Sequence, residues 1–413
     1  MSYSEDTIDF LHKGDLIGMH NALSNALKHD NEEMLADLAE YLQMMGFIDE
    51  SHQVYDKILG DNPESTDYLI NLAEIAEDDG QIDDALNYLY QIPAGDENYV
   101  AALIQIADLY QFEGDFETAI SKLEEARELS DSPLITFALA ESYYEQGAYQ
   151  EAIQNYAKLS VREILQQTKI STYQRIGESY AHLGNFENAI SFLEKSLEFD
   201  KTADTIYKIA LLYSELDNQA RAISYFKQLE DYNTDLLNYE LAYAQTLEAD
   251  RQFDEAARVA QEGLLKNPNS ALLLHFLSKL AYSQKDQAAA ERYLMDALNV
   301  AELHDETVFL LANLYFNESD FEAVIRLEDL LEEEHILAQW LFAQAHKELE
   351  NDAQAEALYT ELLSTALTDN SDFLKDYVDF LLQIGQNEKA QTYIKQYLEL
   401  VPEDEEMRGL LFE

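Results

Sequence analysis

Residues 176–189 read IGESYAHLGNFENA, and this stretch decides the fold. Two small residues, Gly177 and Ala189, stand twelve positions apart on either side of Gly184. Two antiparallel helices approach each other closely only where small side chains occupy the crossing point. A glycine between them ends the first helix, because glycine accepts a left-handed backbone conformation. The stretch therefore predicts two antiparallel helices joined by a tight turn.

The same spacing recurs along almost the whole chain. Eleven pairs of positions are spaced twelve residues apart, and successive pairs follow at steps of 31 to 37 residues with a mean near 34. Ala, Gly or Ser occupies 20 of these 22 positions, and Val occupies the other two. Each helix pair alone would leave apolar surface exposed, which stacking on its neighbours buries. The pairs are Ala39/Ser51, Ala73/Ala85, Ala107/Ala119, Ala140/Ala152, Gly177/Ala189, Ala210/Ala222, Ala244/Ala256, Ser278/Ala290, Ala312/Val324, Ala343/Ala355 and Val378/Ala390.

This pattern resembles the tetratricopeptide repeat family, whose helix–turn–helix units are 34 residues long. The motif is clearest in residues 107–119, 140–152 and 176–192, and the resemblance covers about residues 32–404. It implies an all-α fold, a right-handed superhelical solenoid of about twelve antiparallel helix pairs with a concave inner face. The chain also looks like soluble, cytoplasmic repeat proteins of Gram-positive bacteria.

Four segments are expected along the chain. Residues 1–31 form a degenerate N-terminal capping helix pair, 32–168 an acidic set of repeats, 169–404 a second set, and 405–413 an acidic C-terminal tail. The longest step, 37 residues, marks an insertion near residues 159–170. A longer helix is the preferred interpretation of this insertion. The alternative is a bend or junction between two repeat arrays.

The charge is strongly negative and uneven. The chain has 82 acidic and 26 basic residues, a net charge of −56, of which residues 1–150 carry −28. Such a charge repels phosphate backbones and anionic lipid surfaces and favours basic partners. We therefore expect no nucleic acid and no membrane among the partners. The absence of cysteine and of a signal-peptide pattern at the N-terminus leads us to expect a cytoplasmic protein.

Catalytic motifs are missing from the sequence. It has no GxxxxGK[ST], GxSxG or HExxH pattern, and its nine histidines show no spacing typical of a metal site. Almost no residues remain outside the repeats to form a catalytic domain. We therefore expect no enzyme activity, no cofactor and no metal.

In the tetratricopeptide family the first helix of each pair lines the concave face, so this resemblance implies a binding groove. In the early repeats the lining positions are acidic: Glu33, Glu40, Asp67, Glu74, Glu77, Asp78, Asp108, Glu141, Glu145 and Glu178, with Phe112, Phe137 and Tyr144 interleaved. In the later repeats they are aromatic or carry amides: Tyr207, Asn238, Gln245, His275, Tyr282, Phe309, Asn313, Phe316, Asn317, Trp340 and Gln344, followed by Lys347.

Each set has a second interpretation. Acidic residues on a helix face are often only solvated, and the aromatic residues could pack against the adjoining repeat. Trp340 is the sharpest case, because it either contacts a ligand or stabilises the C-terminal repeats.

The predicted function is a protein- or peptide-binding scaffold that uses the groove, with a partner whose basic character would suit the acidic repeats. The alternative is a regulatory sensor that binds a short signalling peptide and changes its superhelical pitch.

Overall fold

The computed structural model describes residues 2–62, 65–230, 232 and 239–411, and this part of the chain is all-α without strands. Its helices follow one another as twelve helix–turn–helix units with short additional helices. The helices of residues 1–212 are α1 (Tyr3–His12), α2 (Leu16–His29), α3 (Glu32–Met44), α4 (Ile48–Asp61), α5 (Thr66–Asp78), α6 (Ile82–Leu89), α7 (Tyr99–Phe112), α8 (Phe116–Leu129), α9 (Pro133–Glu145), α10 (Tyr149–Tyr156), α11 (Val161–Thr168), α12 (Thr172–His182), α13 (Phe186–Ser196) and the start of α14 (Ala203–Glu215).

The remaining helices complete the chain. They are α15 (Gln219–Glu230), α16 (Tyr239–Ala249), α17 (Phe253–Lys266), α18 (Ala271–Ser283), α19 (Gln287–Ala297), α20 (His304–Asn317), α21 (Phe321–Ile325), α22 (Ile336–Glu348), α23 (Asp352–Leu362), α24 (Ser371–Gln383), α25 (Asn387–Leu400) and α26 (Glu405–Gly409), with 3₁₀ turns at Glu328–Leu330 and Ala366–Asp369. The chain divides into two compact units, residues 1–212 (unit 1) and 213–413 (unit 2).

The small residues lie at the helix crossings, as predicted. Ser51 Oγ donates to the carbonyl oxygen of Ala39 at 2.8 Å, and both residues are fully buried. In unit 2, Ser278 Oγ donates to the carbonyl oxygen of Ala290 at 2.9 Å. A hydroxyl group of one helix therefore reaches the backbone of its partner, twelve residues away in sequence. Only a small side chain leaves room for this approach.

The turns follow a single geometry in both units. Gly184 has φ of 72°, and Asn185 N donates to the carbonyl oxygen of Tyr180 at 2.9 Å, which closes the end of α12. In unit 2 the equivalent left-handed position is mostly held by residues other than glycine, each at a cost of ~1–2 kcal/mol. Helix packing on both sides must offset that strain. These residues are Asp217, Arg251, Lys285, Ser319 and Glu350.

The structure contains the helix pair expected at residues 1–31. Leu23 and Ala26 of α2 are buried, and Ile8 and Leu11 of α1 pack against the same apolar cluster. Gly14 forms the turn with φ of 72°. The first repeat that resembles the family thus packs on this pair.

Two details of the expected organisation differ in the structure. The insertion near residues 159–170 is not a longer helix, because α10 ends at Tyr156 and α11 is a separate helix of eight residues that stops where Lys169 adopts φ of 64°. The segment after residue 404 is not a free acidic tail. Asp404 caps α26 by accepting from Met407 N at 3.0 Å, and Met407 is buried against the last repeat.

Gly177 offers a direct test of the crossing. A Cβ atom at this position would lie 2.7 Å from Leu193 Cγ and 3.0 Å from the carbonyl oxygen of Ala189. Gly177→Ala should therefore lower the free energy of unfolding by ~1–3 kcal/mol, the usual cost of overpacking. Thermal unfolding followed by circular dichroism measures the effect.

Gly60 is the matched control, since it also lies within a helix but a Cβ there would meet no atom within 4 Å. Gly60→Ala should be neutral or stabilising by up to ~1 kcal/mol, because alanine favours helix more than glycine does. Equal effects of the two substitutions would contradict the close crossing.

Candidate functional site

Five of the predicted acidic residues form what we call the acidic stripe: Glu40, Glu74, Glu77, Asp78 and Asp108. Glu40, Glu74 and Asp108 each directly follow the first small residue of their repeat, so they occupy one face of successive first helices. All five are exposed. Within the part of unit 1 that the structure describes, none of them has a Lys, Arg or His nitrogen within ion-pair distance. The stripe therefore presents uncompensated negative charge.

Burial and neighbouring negative charge raise the pKa of two carboxyl groups of the stripe, those of Glu74 and Asp108. The side chain of Asp108 reaches solvent, but its carboxyl group is partly enclosed by protein atoms. This partial burial, together with the charge of Glu77, raises the pKa of Asp108 to about 6. Burial also raises the pKa of Glu74, with Asp78 and Glu77 adding to the effect. Like charges disfavour ionisation of their neighbours. A cation placed here would relieve that repulsion.

Two large apolar side chains project beside these carboxylates. Phe112 is 82% exposed and Met44 is 73% exposed. Each lies five positions after the first small residue of its repeat, the position that Asp78 holds in the repeat between them. Phe112 is among the predicted lining residues, whereas Met44 is not, although it occupies the same repeat position. The stripe thus combines negative charge with exposed apolar surface.

The other acidic residues predicted for the early repeats fall into two groups. Glu33 and Glu145 are exposed. Asp67 is also exposed, and its Oδ1 accepts from Asn98 Nδ2 at 2.6 Å. Glu141 and Glu178, in contrast, belong to an internal network.

We call this network the Arg175 cluster: Glu141, Tyr144, Tyr156, Arg175, Glu178, Asp204 and Lys208. Arg175 donates through Nη2 and Nε to both carboxylate oxygens of Glu141, at 2.8 and 3.1 Å, and through Nη1 to Glu178 at 3.3 Å. Lys208 Nζ donates to Glu178 and to Asp204, the latter at 2.7 Å. Neither Arg175 nor Lys208 belongs to the predicted lining residues, because that prediction took only acidic and aromatic residues from the early repeats and mostly aromatic and amide residues from the later ones.

The environment of the Arg175 cluster favours the charged form of Glu178. Glu178 is only 7% exposed. Although burial alone would raise the pKa of Glu178, hydrogen bonds from Lys208 and Gln174 and the charges of Lys208 and Arg175 hold it below its usual value. The Tyr156 hydroxyl donates to Glu141, and the Arg175 guanidinium lies 4.7 Å from the centre of the Tyr144 ring. Glu141 and Glu178 are therefore already neutralised, and Phe137, at 8% exposure, is core.

In unit 2 the structure brings four residues of the predicted aromatic and amide set around one cleft: His275, Tyr282, Asn313 and Asn317. Gln245 is exposed elsewhere on α16, while Tyr207 and Gln344 are half-buried. Asn238 lies outside the described residues. Four members of the predicted set therefore share one cleft, and the other described members lie outside it.

Three aromatic residues of that set pack against their own surroundings. Trp340 Nε1 donates to Asp376 Oδ2 at 2.7 Å, and its ring meets Phe373 edge-on at 5.7 Å. Asp376 also accepts from the Tyr359 hydroxyl and from Lys347 Nζ, both at 2.6 Å. Phe309 stacks on His335 at 5.0 Å and Phe316 meets Phe321 at 5.4 Å. These contacts correspond to the alternative in which Trp340 supports the C-terminal repeats.

Comparison with known families identifies the repeats. Two family models described as YpiA-like tetratricopeptide repeats match residues 111–164 and, in a C-terminal version, 337–404. General tetratricopeptide repeat models match residues 36–98, 170–202 and 204–233. The chain belongs to the tetratricopeptide repeat family. The family expected from the helix-crossing pattern is confirmed.

This tetratricopeptide repeat protein shares between 15% and 27% identity with the three proteins described next. It is 27% identical over 298 residues to the TPR repeat-containing protein YpiA of Bacillus subtilis, an alignment that covers 70% of this chain and 69% of that protein. Among solved structures, yeast Tom70 is 16% identical, with 99% of this chain and 93% of that chain covered and a TM-score of 0.39. Part of a repeat protein from Cytophaga hutchinsonii is 15% identical, with coverages of 59% and 99% and a TM-score of 0.49.

Within the described ranges of this repeat protein, no helix is both long and apolar enough to span a membrane.

The Arg175 cluster predicts a stability difference between two arginines. Arg175→Met would leave Glu178 buried without one of its cations, and breaking a buried pair costs ~3–5 kcal/mol. Because the Arg175 side chain is 23% exposed, we expect about the lower end of that range, measured by urea unfolding followed by circular dichroism.

Arg258 is the matched control. It contacts three carboxylates, those of Glu230, Glu255 and Glu262, where Arg175 contacts two, but its side chain is 41% exposed. Arg258→Met should cost no more than ~1 kcal/mol, as exposed pairs do. A small and equal effect at both positions would show that the Arg175 cluster is an ordinary surface network.

Proposed function

We propose that the protein is a non-catalytic scaffold whose acidic stripe binds a basic, partly apolar segment of another protein. The observation that carries the proposal is the stripe itself, where unpaired carboxylates stand beside the highly exposed Phe112 and Met44. An exposed aromatic side chain among charged residues is typical of a contact surface. The tetratricopeptide family supports protein partners in general.

The Arg175 cluster sets the extent of this surface. Arg175 and Lys208 neutralise Glu141 and Glu178, so the uncompensated charge lies in the repeats before them. A basic segment would therefore contact α3, α5 and α7 rather than the whole array. Lysine or arginine side chains would pair with the carboxylates, and apolar side chains would cover Phe112 and Met44.

The proposal includes a cytoplasmic location and a partner that is not nucleic acid. The net charge of −56 supports the second point, because it repels phosphate. The absence of cysteine is in keeping with a reducing compartment.

Binding of a fluorescein-labelled synthetic peptide with regularly spaced lysine and leucine residues tests the proposal by fluorescence anisotropy. Affinity should fall as salt rises from ~0.01 to ~0.15 M, since the screening length shrinks from ~30 to ~8 Å. The triple variant Glu74→Gln, Glu77→Gln, Asp108→Asn should weaken binding about tenfold, equivalent to ~1.4 kcal/mol shared among three exposed pairs.

The control variant removes the same charge elsewhere in unit 1, through Glu117→Gln, Glu128→Gln and Asp131→Asn, all exposed positions outside the stripe. Its affinity should stay close to that of the unmodified protein. Equal loss in both triple variants would mean that only the overall charge attracts the peptide, and salt-independent affinity would contradict the role of the carboxylates.

A further inference from the structure

A cleft in unit 2 has a composition unlike that of the acidic stripe. It measures about 170 Å³ and lies between α18, α19 and α20. Leu294, Leu310 and Leu314 supply its apolar lining, while Asn313 and Asn317 stand at its edge. For comparison, a water molecule occupies ~30 Å³ in the liquid, and an apolar cavity of ~150 Å³ binds benzene. The cleft therefore has room for one apolar side chain.

The side chain of Asn317 is oriented by a hydrogen bond to the backbone and contacts that of Asn313. Asn317 Nδ2 donates to the backbone carbonyl oxygen of Asn313 at 2.8 Å and lies 3.4 Å from Asn313 Oδ1. These contacts direct the amino group of Asn317 towards Asn313. Asn313 Nδ2 and Asn317 Oδ1 then have no hydrogen-bond partner among the described residues, and both side chains are exposed. One donor and one acceptor are thus available, the pair that a peptide group requires.

The charged groups near the cleft are already satisfied or neutral. Lys279 Nζ pairs with Glu248 Oε1 at 3.0 Å. Thr307 Oγ1 donates to the carbonyl oxygen of Leu303 at 2.8 Å, so it accepts the hydrogen bond from His275 Nε2 at 2.7 Å. Burial lowers the pKa of His275, and the weaker opposing effect of Glu306 does not reverse this, so the ring is neutral at pH 7. A charged side chain would lose its water in the cleft. The cation that lines the cleft, Lys279, is already paired with a carboxylate and is therefore a poor counter-ion.

We propose that this cleft binds one uncharged aliphatic side chain of an extended peptide segment, while Asn313 and Asn317 bond to the adjoining peptide groups. This inference rests on the proposed function of the chain as a protein-binding scaffold, and it names the partner chemistry at a second site. The partner thus presents an aliphatic residue to unit 2 in addition to the basic segment that contacts unit 1.

The smallest suitable probe is N-acetyl-leucine N-methylamide, which carries one aliphatic side chain between two peptide groups. In the full chain labelled with ¹³C at the leucine methyl groups, the probe should shift the NMR signals of Leu294, Leu310 and Leu314 in a saturable manner. N-acetyl-aspartate N-methylamide should leave them unchanged. Absence of any shift with the leucine probe, or equal shifts with both probes, would overturn the inference.

A matched pair of variants tests the amide contribution. Asn317→Ala should raise the Kd of the leucine probe about three- to tenfold, the effect of losing one neutral hydrogen bond. Asn299 is exposed and makes a similar bond to the carbonyl oxygen of Met295 at 3.0 Å, but it does not line the cleft. Asn299→Ala should leave the Kd unchanged. Equal Kd values for the two variants would overturn the role of Asn317.

The outcome is separable from the test of the acidic stripe. One outcome is that the lysine–leucine peptide binds in a salt-dependent manner while the leucine probe shifts no signal of the cleft. This outcome would overturn the inference and leave the proposed function intact. Saturable shifts at the cleft without binding of the basic peptide would support the cleft and contradict the proposed role of the stripe.

Discussion

Close backbone approach at each helix crossing is the constraint on which the rest of the structure depends. Ser51 Oγ reaches the carbonyl oxygen of Ala39, and Gly177 leaves no space for a Cβ atom. Each crossing fixes the rotation of both helices, because a larger side chain there would force them apart. Once the rotation is fixed, every other position of the repeat has a defined direction. Because the crossing decides which face of each first helix is buried, it also decides which face is exposed.

The regular rotation of the helices explains why acidic residues of successive repeats lie side by side on one exposed face. Residues directly after the first small site recur on one face, and in the early repeats they are Glu40, Glu74 and Asp108. Repetition places like charges next to each other, and burial together with the charge of Glu77 raises the pKa of Asp108. At Arg175 the same face changes character, since a half-buried cation bridges Glu141 and Glu178 across neighbouring repeats. The same face of the first helices is therefore a charged surface in the early repeats and carries ion pairs between repeats at Arg175.

The fold was predictable because the small residues that determine it recur at a fixed spacing. The site was only partly predictable, because some of its contacts join residues far apart in sequence. Small residues at a fixed spacing predicted the crossings, and the unit at residues 1–31 followed from the turn at Gly14. Trp340 could not be placed, because its hydrogen bond to Asp376 depends on a side chain 36 residues away. Pairing of Glu178 with Lys208 is similarly non-local. The separate helix α11 lies in the segment with the longest step between repeats.

Titration of Asp108 in the free protein tests the central claim most directly, namely that unit 1 crowds carboxylates on one face without internal cations. The carboxyl signal of ¹³C-labelled aspartate is followed by NMR against pH and assigned by its loss in Asp108→Asn. Since the folded pKa lies above the unfolded value, Asp108 stabilises the fold at low pH and this contribution is lost as pH rises through about 6. The predicted midpoint is about pH 6, and a midpoint near the ordinary value of ~3.9 would contradict the account.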